Sequence, residues 1–231
     1  MLFLHKIRQR KSLAILLLLV LPTIIYASQA GAQRVSRPEG AKGWSDFVFA
    51  RYQQVKTMRA QFEQSIVHKE SGIEEQRTGE LFFQRPFLAR WSSNPPFSEL
   101  IVVDKNFLWQ YFPDEELALK FKARDVDEQS EFLSVITGKA PLIEKFRIRP
   151  QQEIEGVFSL QLLPISPSMS LVDATIWVDM ESGLILRLSY TDFYGNINDI
   201  AFINQELDVR MPEDAFTIKL PPATVIEDHS K

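Results

Sequence analysis

The 231 residues hold three histidines, His5, His68 and His229, and no cysteine. Transition-metal centres are built from clustered Cys and His ligands, so this pattern predicts no metal site. No G-x-S-x-G elbow presents a serine, and neither His68 nor His229 sits where it could activate a nucleophile. The nine glycines form no G-x-G-x-x-G, so a phosphate-cradling loop is not expected. Carboxylates are grouped at Glu74-Glu75, Glu115-Glu116 and Asp125–Glu128. Those groups fall at turns and helix caps, where solvated charge is the simpler explanation. A glycosidase pair assembled from distant strands stays open. The residues otherwise point to a protein that is not an enzyme and needs no cofactor and no metal.

One cation stands apart. In Gly79–Trp91, reading GELFFQRPFLARW, apolar side chains occupy both faces of a strand, Arg85-Pro86 interrupts it, and Phe87–Trp91 resumes. Proline cannot donate to a ladder and suits an edge, a bulge or a strand boundary. An arginine in such apolar surroundings needs a partner, since an unpaired buried charge is costly. The segment reads as part of a sheet that covers something other than its own core.

The elements around it follow from period and breakers. Trp44, Phe47, Val48, Tyr52, Val55 and Met58 recur at helical spacing and predict an amphipathic helix of about four turns. The period then falls to two, with Ala60, Phe62, Gln64 and Ile66 alternating against Gln61, Glu63 and Ser65. Strands follow near 76–84, 87–93, 99–103, 107–112 and 117–121, and later near 146–154, 157–163, 172–178, 184–191, 197–207 and 218–226. Between the two groups, Asp125 with Glu128 forms a capping box for a helix whose apolar side is Phe132, Leu133, Val135 and Ile136, ended by Gly138. Short hairpin links imply antiparallel pairing. The expected fold is mainly β (α+β): about ten strands in an open, incomplete antiparallel β-barrel, with an N-terminal helix and a helical lid over its concave apolar face.

The N-terminus sets the compartment. His5, Lys6, Arg8, Arg10 and Lys11 precede the apolar run Leu13–Leu21, and Ala30-Gly31-Ala32 offers a small-x-small cleavage site. That is the layout of a secretory signal peptide, and the run falls short of the roughly 20 residues that span a bilayer. Residues 1–32 are expected to be removed, leaving 33–231 as one domain in the periplasm, a monomer without stable membrane insertion. The net charge of −4 argues against nucleic acid as a partner.

Aromatic residues are abundant: seventeen Phe, four Trp and five Tyr. Trp91, Trp109, Tyr111, Phe112 and Phe121 lie close together on consecutive strands. An ordinary core explains any one of them. Together they suggest an apolar cavity closed by the Phe132–Ile136 helix, able to bind greasy ligands without chemistry.

These residues resemble the outer-membrane lipoprotein carrier family, the LolA-type periplasmic chaperones. The likeness rests on Phe62-Glu63-Gln64, Gly79-x-Leu81-x-x-x-Arg85-Pro86 with Trp91, Leu108-Trp109-x-Tyr111 before Pro113, Leu160–Pro164, Phe216 and Pro221-Pro222. It implies an open barrel whose cavity holds the acyl chains of lipoproteins. An inner-membrane ABC-type release complex would deliver them and an outer-membrane receptor would accept them. Arg85 would be the latch that ties the lid helices by hydrogen bonds to their backbone. Expected cavity residues are Leu81, Phe83, Phe87, Leu88, Trp91, Leu100, Val102, Trp109, Tyr111, Phe121, Phe132, Leu133 and Ile136. Ala89 stands where a family member has phenylalanine. A binding module of the same fold for another amphiphile, such as a glycolipid carrier or an envelope-stress regulator, is the alternative.

Overall fold

The computed structural model describes residues 37–123 and 140–231. Residues 1–32, the expected signal peptide, and the expected lid residues Phe132, Leu133 and Ile136 therefore lie outside the described residues. Helix α1 spans Gly40–Gln54 and buries Trp44, Ser45, Val48 and Tyr52, a one-sided stripe of spacing four. Val55 already has extended backbone. The helical stripe expected to reach Met58 therefore stops early, and Met58 belongs to the first strand.

The strands are β1 (Thr57–Val67), β2 (Glu74–Gln84), β3 (Leu88–Ser93), β4 (Glu99–Val103), β5 (Phe107–Phe112) and β6 (Leu117–Lys122). After them come a single helical turn, α2 (Leu142–Lys145), and β7 (Phe146–Ile154), β8 (Val157–Pro164), β9 (Asp173–Asp179), β10 (Ile185–Thr191), β11 (Ile197–Leu207) and β12 (Val225–Asp228). Among the described residues twelve strands make one sheet in the order β12-β6-β5-β4-β3-β2-β1-β11-β10-β9-β8-β7. The outermost strands of that order do not pair with one another, so the sheet is open. Among the described residues no helix is long and apolar enough to cross a membrane.

All of these pairs are antiparallel except β12 with β6. The exception has a topological cause. β11 lies beside β1, and the chain must pass six strands to reach the far edge at β6. Parallel pairing requires such a long crossover. Pro221-Pro222 falls inside the strand expected at 218–226, and only Val225–Asp228 joins the ladder, because proline has no N–H to give it.

The sheet is strongly curled. Trp91 on β3 meets Phe202 on β11 with ring centroids 6.4 Å apart, although β2 and β1 intervene. Three strand spacings on a flat sheet would amount to about 14 Å. Phe62 fills the bend, stacked on Trp91 at 3.8 Å and paired in register with Phe202. Gly79 makes room for that stack, because a Cβ there would lie 2.5 Å from the Phe62 ring and 2.0 Å from the Ser92 carbonyl oxygen.

Helix α1 covers the half of the concave face formed by β7–β10. Trp44 stacks on Phe158 of β8 at 4.0 Å. The Ser45 hydroxyl accepts a hydrogen bond from the Ile143 N–H at 3.0 Å and so ties α1 to α2. At the other end, the Ile185 N–H donates to the Tyr52 hydroxyl at 3.2 Å, beside a register shift in β10 that takes this N–H out of the ladder. Burial pushes the Tyr52 phenol up to about 12, against the opposing pull of the Ile185 N–H and Arg51.

Gly79→Ala is expected to destabilise the fold by about 1–3 kcal/mol through overpacking, with loss of near-ultraviolet circular dichroism from the Phe62–Trp91 stack. Tyr52→Phe strands the buried Ile185 N–H and is expected to lower unfolding stability by about 1–3 kcal/mol in urea titrations. The Tyr52 phenol titrates higher in the fold than in the unfolded chain. Its contribution is therefore complete below pH about 10 and lost as pH rises towards about 12. Alkaline unfolding in that window, less steep in Tyr52→Phe, is the check.

Candidate functional site

Where α1 leaves the concave face uncovered, a cavity of about 310 Å³ remains, at the small end of ligand pockets. Cross-strand register explains its wall. On β2 and β3, Leu81 pairs with Trp91 and Phe83 with Ala89. Trp91 and Ala89 then pair with Ile101 and Val103 on β4, and these in turn with Gln110 and Leu108 on β5. Paired residues share a face, and this set looks inward. The apolar wall consists of Ile66, Leu81, Ala89, Trp91, Ile101, Leu108 and Ile200. The small Ala89 side chain, which pairs with Phe83 and Val103, leaves part of that space open.

One end of the cavity is polar, with Gln64, Arg77, Glu99, Gln110, Tyr190 and Asn198 in its wall. Arg77 donates to Glu75 at 2.7 Å and to Glu99 at 3.4 Å, and its guanidinium carbon lies 5.2 Å from the Phe97 ring centre. Gln110 donates to the other Glu99 oxygen at 2.6 Å, and the Gln64 amide donates to Asn198 at 3.1 Å. Burial works against the charge of Glu75, but hydrogen bonds from Arg77 and His68 outweigh it and hold this carboxyl below its usual range. Burial, reinforced by Asp192 and Glu99, pushes the Tyr190 phenol up to about 12.

Arg85 sits at the opposite end of β2 from Arg77, about 26 Å away at roughly 3.3 Å per residue. It follows β2 in the turn to β3. Its Nε donates to the Val55 carbonyl at 2.9 Å and its Nη2 to the Tyr52 carbonyl at 2.5 Å. The last carbonyls of a helix have no intrahelical partner, and Arg85 supplies one to the end of α1. The helix it holds is thus the N-terminal one.

The expected cavity residues divide by face. Leu81 and Trp91 line the cavity. Phe83 has the same orientation but packs in the core nearer Arg85, and Phe121, opposite Leu108, packs against that core and stacks on His229 at 5.1 Å. Phe87 is in the β2–β3 turn rather than a strand. It borders a separate surface pocket with Leu88, Pro86 and Lys105.

Leu88, Leu100, Val102, Trp109 and Tyr111 depart from the expectation. Val102 pairs with Arg90 and Trp109, and Leu100 pairs with Ser92 and Tyr111. Leu88 pairs with Gln84. All have the opposite alternation from Trp91 and face outward. The chain between β11 and β12 crosses this outer face, where Ala215 is buried and its carbonyl accepts from Arg90 at 3.4 Å. Lys120 lies 5.3 Å from the Trp109 ring centre and 4.0 Å from that of Phe107.

The polar residues of the cavity were not singled out from sequence. Gln64 carried the one available signal, a polar residue in the inward alternation of Ala60, Phe62 and Ile66.

Comparison with known proteins adds the family. The family described as outer membrane lipoprotein carrier protein LolA matches residues 53–219. The outer-membrane lipoprotein carrier protein of Chromobacterium violaceum is 27% identical over 168 residues, covering 72% of this chain and 78% of that protein. Its namesake from Bordetella avium is 24% identical over 185 residues, covering 78% of this chain and 85% of that protein. Among solved structures, an uncharacterized conserved protein from Thermus thermophilus shares the fold at a TM-score of 0.55 and 12% identity, over 83% of this chain and 100% of that one. The match begins near the end of α1 and includes every strand of the sheet except β12, and the chain belongs to the outer-membrane lipoprotein carrier family, a family of carriers rather than enzymes.

Proposed function

We propose that this protein is a periplasmic chaperone that shields the acyl chains of lipoproteins and moves them between membranes. It receives them from an inner-membrane ABC-type release complex and passes them to an outer-membrane receptor. The supporting observation is the cavity between β1–β5 and β10–β11, apolar over most of its wall, in a chain of this family. Transfer of a sixteen-carbon acyl chain out of water is favourable by about 12 kcal/mol, at about 0.8 kcal/mol per methylene. Unassisted passage across an aqueous compartment is therefore negligible, and a cavity that excludes water from the chain overcomes that barrier.

Release without nucleotide requires a closed state that competes with the bound chain for the concave face. We assign Arg85 as the latch. Its two bonds to the last carbonyls of α1 are each worth about 1.5–3 kcal/mol, as hydrogen bonds to a charged group. A contact of that size can be broken when a partner offers an equivalent interaction. Separating α1 from the sheet would enlarge the cavity on the side the helix covers. The N-terminal 32 residues direct export and are removed, and the carrier acts as a monomer.

Arg85→Leu is expected to keep α1 from re-closing, so that the variant captures lipoprotein from spheroplasts but fails to pass it to outer-membrane acceptors. Equal transfer by variant and wild-type protein in that assay would refute the latch. Failure of the wild-type protein to release any lipoprotein from spheroplasts would refute the carrier role.

A further inference from the structure

An apolar cavity cannot tell one acyl chain from another by its methylenes, since differences of that kind give only weak discrimination. Lipoproteins and bilayer phospholipids carry chemically similar chains, so selection between them has to act on the head. The polar end of the cavity is the place for it. There Glu75 and Glu99 flank the single guanidinium of Arg77, with side chains 20%, 14% and 21% exposed respectively. Arg77 shares Glu75 with His68, so Glu99 is the carboxylate of this cluster that faces the cavity. Arg77 is already committed to both carboxylates and is turned onto the Phe97 ring, so it is not presented as a free anion site. The field at Tyr190 agrees, for Asp192 and Glu99 act on its hydroxyl more strongly than Arg77 does.

Neutral hydrogen-bonding capacity is plentiful at the same end. The Gln64–Asn198 amide pair is joined by one mutual bond, and primary amides have donors and acceptors beyond that. Gln110 adds a third amide. We propose that this end of the cavity is a head-group subsite, admitting uncharged heads rich in amide and ester groups and excluding anionic phosphate heads, with Glu99 as the main determinant. The inference rests on the reading of the cavity as an acyl-chain site and adds to it a basis for rejecting phospholipid.

The test uses the mature protein and two ligands with the same dioctanoylglyceryl tail, kept below their critical micelle concentrations. One carries an N-acetylcysteinamide thioether head and the other a phosphatidylglycerol head. Isothermal titration is expected to give affinity at least about tenfold tighter for the amide head. Glu99→Gln retains side-chain size and leaves Arg77 paired to Glu75. It is expected to narrow that ratio by about tenfold, by strengthening binding of the phosphate head while the amide head is little changed. Glu75→Gln should narrow it less, because Glu75 lies outside the cavity wall. Equal binding of both ligands to wild-type protein would overturn the subsite and leave the chain site standing, as would a ratio that Glu99→Gln does not move in a folded variant. If neither ligand binds, the chain site falls and the subsite with it.

Discussion

The fold depends on keeping one helix seated in a curled sheet. A sheet of this curvature has a concave face too wide for its own side chains to fill, and α1 fills half of it. Its apolar stripe, Trp44, Val48 and Tyr52, is buried, but burying the stripe also draws the polar end of the helix towards the sheet. The carbonyls of Tyr52 and Val55 would then lack partners, and Arg85 supplies them. An arginine suits the place because its planar fork reaches two carbonyls from one rigid group. Tyr52 is thus fixed twice, by its carbonyl to Arg85 and by its hydroxyl to the Ile185 N–H. The position of α1 in turn decides how much of the concave face remains as cavity.

The remaining space is graded. Near its centre it is walled by Leu81, Trp91 and Leu108, and towards the β1–β2 hairpin it becomes a network of Arg77, Glu99, Gln110 and the Gln64–Asn198 pair. Buried polar networks are sustainable only when their members are bonded, and here nearly every member has a named partner. The Arg85 contacts to α1 and the polar network are therefore spatially separate. Arg85 is at one end of β2 and the polar network at the other, with the apolar wall between them.

Much of this was legible in the sequence. The hairpin punctuation located the strands because glycine, proline and Asn/Asp turns act locally. The Arg85-Pro86 break marked both a strand boundary and a cation in need of partners. The helix end was misread by a turn, since Val55 and Met58 continue the apolar spacing into a strand whose inward residues are apolar too. Facing could not be read on β3–β5. Leu100, Val102, Trp109 and Tyr111 are as apolar as Trp91 and Leu108 because both sides of those strands are packed, one on the core and one under the crossing chain. Alternation identifies a buried face only when the other face is wet. Glu75 looked like solvated turn charge because its partners, Arg77 and His68, are set by the fold of the hairpin and give no signal on their own.

That two-sided packing has a consequence for variation. The inward and outward residues of β3–β5 share a backbone but not a contact layer, because successive side chains project to opposite faces of the sheet. Substitutions whose side chains share no neighbour combine almost additively. Ile101 and Leu108 can therefore be exchanged to reshape the cavity while Val102, Trp109 and Tyr111 keep the outer face unchanged. The same strands present two surfaces that can diverge on separate schedules, one setting the shape of the cavity and the other the outer packing of the sheet.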